Sequence, residues 1–257
     1  RQALDWFDAV AATPERADQN ALVVVEQDGS SQRLTYREMS ARSSQVANWM
    51  SSIGVRRGDR MILMLDNQVE LWESMLAGIK LGVVLLPTTT MLGPKDLDER
   101  VTRGSVSWVL TNSGSVTKFA DVPGDFSVIE TGDLTQGAVP GRDHYSYEDS
   151  RAASETFTPE APTPADETLL LYFTSGTTSR AKLVEHTHTS YPVGHLSTMY
   201  WIGLEPGDVH LNVASPGWAK HAWSNIFTPW IAEACVFLYN YSRFDASKLM
   251  SVMERVG

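Results

Sequence analysis

The chain has 257 residues, enough to bury a sizeable core as one large domain or two small ones, and its 42% hydrophobic and 20% charged residues are those of an ordinary globule. Acidic residues outnumber basic ones 31 to 21, a formal net charge of -10, which argues against a nucleic-acid partner that Lys and Arg would have to neutralise. The single cysteine, Cys235, excludes an intramolecular disulfide and a multi-cysteine metal site.

After a helix-like opening, "A-L-V-V-V-E" and "Q-D-G-S-S-Q-R-L-T-Y" predict two strands around an Asp28-Gly29 turn. Thr35 with Glu38 three residues on forms a capping box, and Met39, Val46, Met50 and Ile53 recur at helical spacing until Gly54, a helix of about 18 residues. Then follow a strand "R-M-I-L-M-L", a helix "V-E-L-W-E-S-M-L-A-G-I-K-L", a strand "V-V-L-L-P", a helix opened by Pro94 and a strand "S-W-V-L-T". Continuous apolar strands separated by helices imply an α/β fold with a mostly parallel sheet covered on both faces.

Residues 131–166 lose this periodicity to Gly, Asp, Ser and the prolines 140, 159, 162 and 164, and read as a Pro/Gly-rich linker. An N-terminal α/β subdomain over 1–166 is therefore expected, with a second, incomplete α/β subdomain starting at 167. A decorated loop inside one domain is the alternative. In the second part, Leu169 to Phe173 predicts a strand and Ser190 to Trp201 a helix, followed by a strand "V-H-L-N-V". A helical stretch near "A-W-S-N-I-F-T-P-W-I", a buried strand around Cys235 and a last helix capped by Asp245 complete the pattern. The chain stops where another strand is due, so a fragment is expected rather than a complete doubly wound domain. No apolar run approaches the roughly 20 residues that span a bilayer, and no signal pattern opens the chain, so a cytoplasmic setting is the expectation.

The chemistry concentrates in "Y-F-T-S-G-T-T-S-R-A-K-L", Tyr172 to Leu183. A phosphate-binding loop needs free backbone N-H groups, small side chains, hydroxyls and a cation. Thr174, Ser175, Gly176, Thr177, Thr178 and Ser179 supply the first three and Lys182 the fourth. Gly176 and Lys182 stand at Walker A spacing, but Ala181 and Leu183 replace the second glycine and the hydroxyl residue. "K-L-V-E-H" continues extended rather than helical, which predicts a strand-loop-strand hairpin in place of a Walker helix.

This stretch resembles the signature phosphate loop of the adenylate-forming superfamily, [YF]-T-S-G-[TS]-T-G-x-P-K-G, departing from it at Ser179, Ala181 and Leu183. "A-S-P-G-W-A-K-H-A-W", Ala214 to Trp223, is similar to the A-D-x-G-W segment of acetyl- and medium-chain acyl-CoA synthetases, with Ser215 in place of Asp. Asn67 to Pro87 resembles the family's N-terminal helix and the strand that leads to a proline. The resemblance covers only the N-terminal half of such an enzyme and places the chain in its large N-terminal domain. It implies ATP-dependent conversion of a carboxylic acid to acyl-AMP and then transfer to coenzyme A, with Mg2+ accompanying ATP. Lys182 and Thr174 would be catalytic, and Thr174, Ser175, Gly176, Thr177, Thr178 and Lys182 would hold the phosphates. Trp218 would wall an acyl pocket, with His221 close by. Later motifs of the family are absent before Gly257, so turnover by this chain alone is not expected. A non-catalytic nucleotide- or acyl-binding module is the rival reading.

Other constellations carry less. His186, His188 and His195 lack the companions of a metal site, and none is expected. Ser175 has no nucleophile-elbow context. Arg100 and Arg103 could approach coenzyme A phosphates or form a solvated helix face, the latter being favoured. The tryptophans at 201, 218, 223 and 230 read as core and pocket walls. Thr131-Gly132-Asp133 reads as a chance turn.

Overall fold

The computed structural model describes residues 2–174 and 181–257. A π-helical turn, Gln2–Phe7, leads into α1, Asp8–Ala11. The hairpin β1 (Asn20–Val25) and β2 (Ser31–Thr35) follows, then α2, Tyr36–Ser52. Thr35 and Glu38 cap α2 reciprocally, as the sequence predicts. Next come β3 (Arg60–Met64), α3 (Val69–Leu81), β4 (Val84–Pro87), α4 (Pro94–Gly104), β5 (Trp108–Asn112), β6 (Ser127–Thr131) and β7 (His144–Ser146). Beyond these lie β8 (Thr168–Thr174), β9 (Lys182–Thr187), α5 (Ser190–Gly194), α6 (Leu196–Ile202) and β10 (Val209–Leu211). The chain closes with α7 (Ala219–Ala222), a π-helical turn (Trp223–Phe227), α8 (Thr228–Ile231), β11 (Cys235–Tyr239) and α9 (Ala246–Val256).

Two sheets result. The larger has the order β7-β6-β5-β3-β4-β8-β9 and the smaller β10-β11-β1-β2. Among the described residues, only the hairpins β1/β2 and β8/β9 are antiparallel, and every other pairing is parallel. Alternation along the strands sorts their side chains between different cores. Leu63, Leu85 and Leu110 point from the large sheet toward α2 and α3, and Leu22, Val24, Val236 and Leu238 meet the same core from the small sheet. Ile62, Met64, Leu86 and Val109 point the other way, onto Leu97 and Val101 of α4. Val23, Cys235 and Phe237 form a third core with Val252 of α9. The layers therefore run α4, large sheet, α2 with α3, small sheet, α9, an α/β arrangement of mostly parallel sheets flanked by helices. Cys235 is buried within it, and burial pushes its thiol up to about 12.

The sheets cut across the expected division at residue 166. Strand β8 joins the large sheet beside β4, and β11 inserts between β10 and β1. Segment 131–166 is also more than a linker. Strand β7 extends the large sheet, and the buried Tyr147 donates its hydroxyl to Glu73 at 2.8 Å. Farther on, Asn48 on α2 donates to the carbonyls of Ser154 and Thr156 at 2.8 and 2.9 Å. The predicted helix over Ser190 to Trp201 is two helices, parted at His195, where the backbone leaves the helical region.

Candidate active site

Strand β8 runs parallel to β4 and ends at Thr174, whose register partner across the antiparallel hairpin is Lys182. The hairpin predicted from "K-L-V-E-H" is thus present, and it brings Thr174 and the exposed Lys182 face to face at the loop's base. Ser175, Gly176, Thr177, Thr178 and Ser179 lie outside the described residues. Thr174 marks the carboxyl end of a parallel strand, the edge of an α/β sheet where ligands gather.

The last residues of β8 face different surroundings. Phe173 lies under two guanidinium groups of α4, with Arg100 and Arg103 at 5.1 and 5.4 Å from its ring centroid. A cation over a ring face is held by the ring's quadrupole. These arginines are therefore neither a purely solvated face nor free, since Arg103 also pairs with Glu99 and Arg100 donates to the Asp96 carbonyl. Tyr172, one residue earlier, is fully buried on the opposite face, and its ring stacks on Tyr191 at 6.3 Å. His186 of β9 packs edge-on against both tyrosines, and His195 stacks on Trp223 at 5.7 Å. Burial holds the imidazoles of His186 and His195 below their usual range.

The segment Ala214 to Trp218 arrives from the small sheet. Gly217, at φ +87°, presses onto the backbone after β4: a Cβ there would stand 2.1 Å from Thr89 N and 2.4 Å from the Thr88 carbonyl carbon. Only glycine permits so close a backbone approach. Because β4 neighbours β8, this contact sets the Gly-Trp segment beside the base of the loop. Trp218, at the N-cap of α7, is 59% exposed. His221 is buried instead; its Nε2 meets Asn67 Oδ1 at 3.2 Å, its ring lies 5.5 Å from Trp72, and burial lowers its pKa from the usual 6.5 to about 3. It is a neutral core imidazole that donates to Asn67.

A cavity of about 350 Å³ opens at the carboxyl ends of β10 and β11, lined by Asn67, Asn212, Ser215, Asn240 and Tyr241 among others. Trp218 is outside its lining, and His221 reaches it only through Asn67. A second crevice, about 610 Å³, lies beyond the ends of β3, β5 and β6 and carries Asp66, Asn112, Lys118, Thr131 and Gly132. The turn at Thr131-Gly132 thus borders a crevice, at the point where strand order reverses between β3 and β5. Among the described residues, no three His, Cys, Asp or Glu side chains gather to hold a metal ion, and no helix is long and apolar enough to cross a membrane. Sequence reasoning missed Tyr191, Asn67 and the seat of Arg100 and Arg103, because each draws its meaning from partners distant in the chain.

The fold is thus an α/β one whose large sheet carries a Thr-Lys hairpin, with a Gly-Trp segment packed on the backbone after β4. The sequence matches the model for AMP-binding enzymes over residues 8–257, and the chain belongs to that family. It is 30% identical over 264 residues to the human acyl-coenzyme A synthetase ACSM3, mitochondrial, covering 99% of this chain and 44% of that protein. It is 31% identical to 4-hydroxybutyrate–CoA ligase 1 of Metallosphaera sedula, covering 95% and 42%. The crystal structure of a Brucella canis acyl-CoA synthetase shares the fold with a TM-score of 0.80 at 23% identity, over 93% of this chain and 43% of that one. The chain spans less than half the length of these relatives.

Proposed function

We propose that this chain is the N-terminal part of an AMP-forming acyl-CoA synthetase. A carboxylate oxygen attacks the α-phosphorus of ATP, the bond from that phosphorus to the β-bridging oxygen breaks, and pyrophosphate leaves with the charge. The coenzyme A thiol then displaces AMP from the acyl-adenylate. The observation that carries this reading is the junction of the Thr174/Lys182 hairpin with the Gly217-Trp218 segment across β4 and β8. That junction supports a phosphate-holding element next to an apolar wall, which is what joining an acid to ATP requires.

In this reading Lys182 and the Thr174 hydroxyl, with Ser175, Gly176, Thr177 and Thr178, hold the β- and γ-phosphates as charge develops on pyrophosphate. Lys182 is exposed at the hairpin mouth, where a nucleotide can reach it. Trp218, exposed beside the same mouth, offers its indole face to the acyl group. His221 acts from behind, orienting Asn67. Mg2+ would accompany ATP, as the family resemblance implies. One relative is named a 4-hydroxybutyrate–CoA ligase, which puts a short hydroxy acid among the candidate substrates.

The test is ATP-pyrophosphate exchange by the full-length protein over a panel of carboxylic acids. Exchange that depends on one acid class is expected; absence of acid-dependent exchange across the panel would refute the assignment.

A further inference from the structure

Tyr191 opens α5, two residues after Thr189, and is 2% exposed. Its ring meets both strands of the phosphate hairpin, Tyr172 on β8 at 6.3 Å and His186 on β9 at 4.8 Å. On its other sides stand His195 at 4.5 Å and Phe227 at 4.9 Å, both edge-on. Its hydroxyl leaves this aromatic nest and donates to the Ala219 carbonyl at 2.9 Å. Ala219 follows Trp218 directly and begins α7. One rigid side chain therefore touches the two strands that carry Thr174 and Lys182 and also holds the backbone that carries Trp218. Gly217 anchors the same segment from the opposite side, on Thr88 and Thr89.

We propose that Tyr191 is a positioning residue for acid activation: its hydroxyl fixes the Trp218-Ala219 backbone relative to the phosphate hairpin, so that a carboxylate resting against Trp218 meets the α-phosphate in line. This rests on the adenylate-forming reading above. Attack in line needs the reacting atoms about 3–3.5 Å apart, and a displacement near 1 Å costs on the order of 10²-fold in rate. The link is suited to the task because it is short, dry and made by a ring with few rotamers. Burial keeps the phenol protonated, hence a donor at any working pH. The Ala219 carbonyl also accepts from the Trp223 N-H. Removing the phenol thus leaves no orphaned carbonyl there, although it also takes away the group that faces the buried Tyr172 hydroxyl.

Tyr191→Phe tests this with two readouts. Amide hydrogen exchange of the unliganded protein reports the anchor itself: exchange over Trp218 to Ala222 should quicken about fivefold, the size of one neutral hydrogen bond, while β8 stays protected. In acid-dependent ATP-pyrophosphate exchange, the maximal rate should fall and KM for the acid rise, each several-fold, with KM for ATP unchanged. Unaltered amide exchange at 218–222 overturns the proposal whatever the activity. So does an equal rise in both KM values, or a fall in thermal stability with no change in acid KM. If the wild-type protein exchanges pyrophosphate with no acid, the adenylate-forming reading falls, and amide exchange still decides whether Tyr191 holds the segment.

Discussion

Tyr172 and Phe173 are neighbours on β8, yet they live in opposite surroundings. Tyr172 faces a dry aromatic nest of Tyr191 and His186, whereas Phe173 faces α4 and two guanidinium groups. Strand alternation alone produces this split, since successive side chains leave opposite faces of the sheet. The comparison teaches how a strand can lead into the proposed phosphate loop without losing its footing. One face supplies rigidity through apolar burial, and the other brings positive charge near the place where anions are to be held. Neither face could do both, because a cation in the dry nest would bear the full cost of desolvation.

The largest way to break the symmetry is truncation. Tyr172→Ala removes a fully buried aromatic and should cost about 3–5 kcal/mol in urea unfolding. Phe173→Ala, half-buried beneath the two arginines, should cost less than half as much; equal losses would show that the faces share the burden. Next comes Lys182→Ala, which leaves both faces intact. The full-length protein should lose on the order of 10²-fold in acid-dependent pyrophosphate exchange, with an unchanged melting temperature. An unchanged rate would remove Lys182 from the site.

Acid should distinguish the two faces most gently. His221, His186 and His195 all have lowered folded-state pKa values, so between the usual 6.5 and their folded values the unfolded chain binds more protons. Stability from keeping them neutral is complete above about 6.5 and is lost as pH falls. For His221 the loss runs at about 1.4 kcal/mol per pH unit down to about 3. Amide protection factors at pH 5, taken relative to the intrinsic rate at that pH, should therefore fall in β9, α5 and α7 before α4 and β5. A uniform fall would mean that carboxylates dominate the acid response.

Much of this was legible in the residues. The Thr35/Glu38 capping box, the Asp28-Gly29 hairpin, Pro94 at the start of α4 and the Asp245 cap are local signals and took the expected form. The hairpin after the phosphate loop was readable because "K-L-V-E-H" lacks helical periodicity. What escaped depends on distance in the chain. The pairing of β1 with β11 has no local cue, so a boundary at 166 looked natural although the sheets ignore it. His221 follows Lys220 in "A-K-H-A", where nothing local marks it as core; Trp72 and Asn67, far off in the chain, pack against it. Arg100 and Arg103 look like solvated helix charges until Phe173 is placed beneath them.

The central place of β1 in the small sheet also has a consequence for how the protein is made. Trp230 reaches back to donate to the Ala21 carbonyl across 209 residues, and β11 pairs with β1 over a similar span. At ribosomal speeds of about 5–20 residues per second, β1 waits roughly 10 to 40 s for its partner. During that time Ala21 to Val25, every one buried in the finished fold, presents an open edge to the cell. Strand β2, which pairs within seconds of synthesis, thus serves as a temporary guard on one side of the nascent chain, and chaperones have the other side to watch.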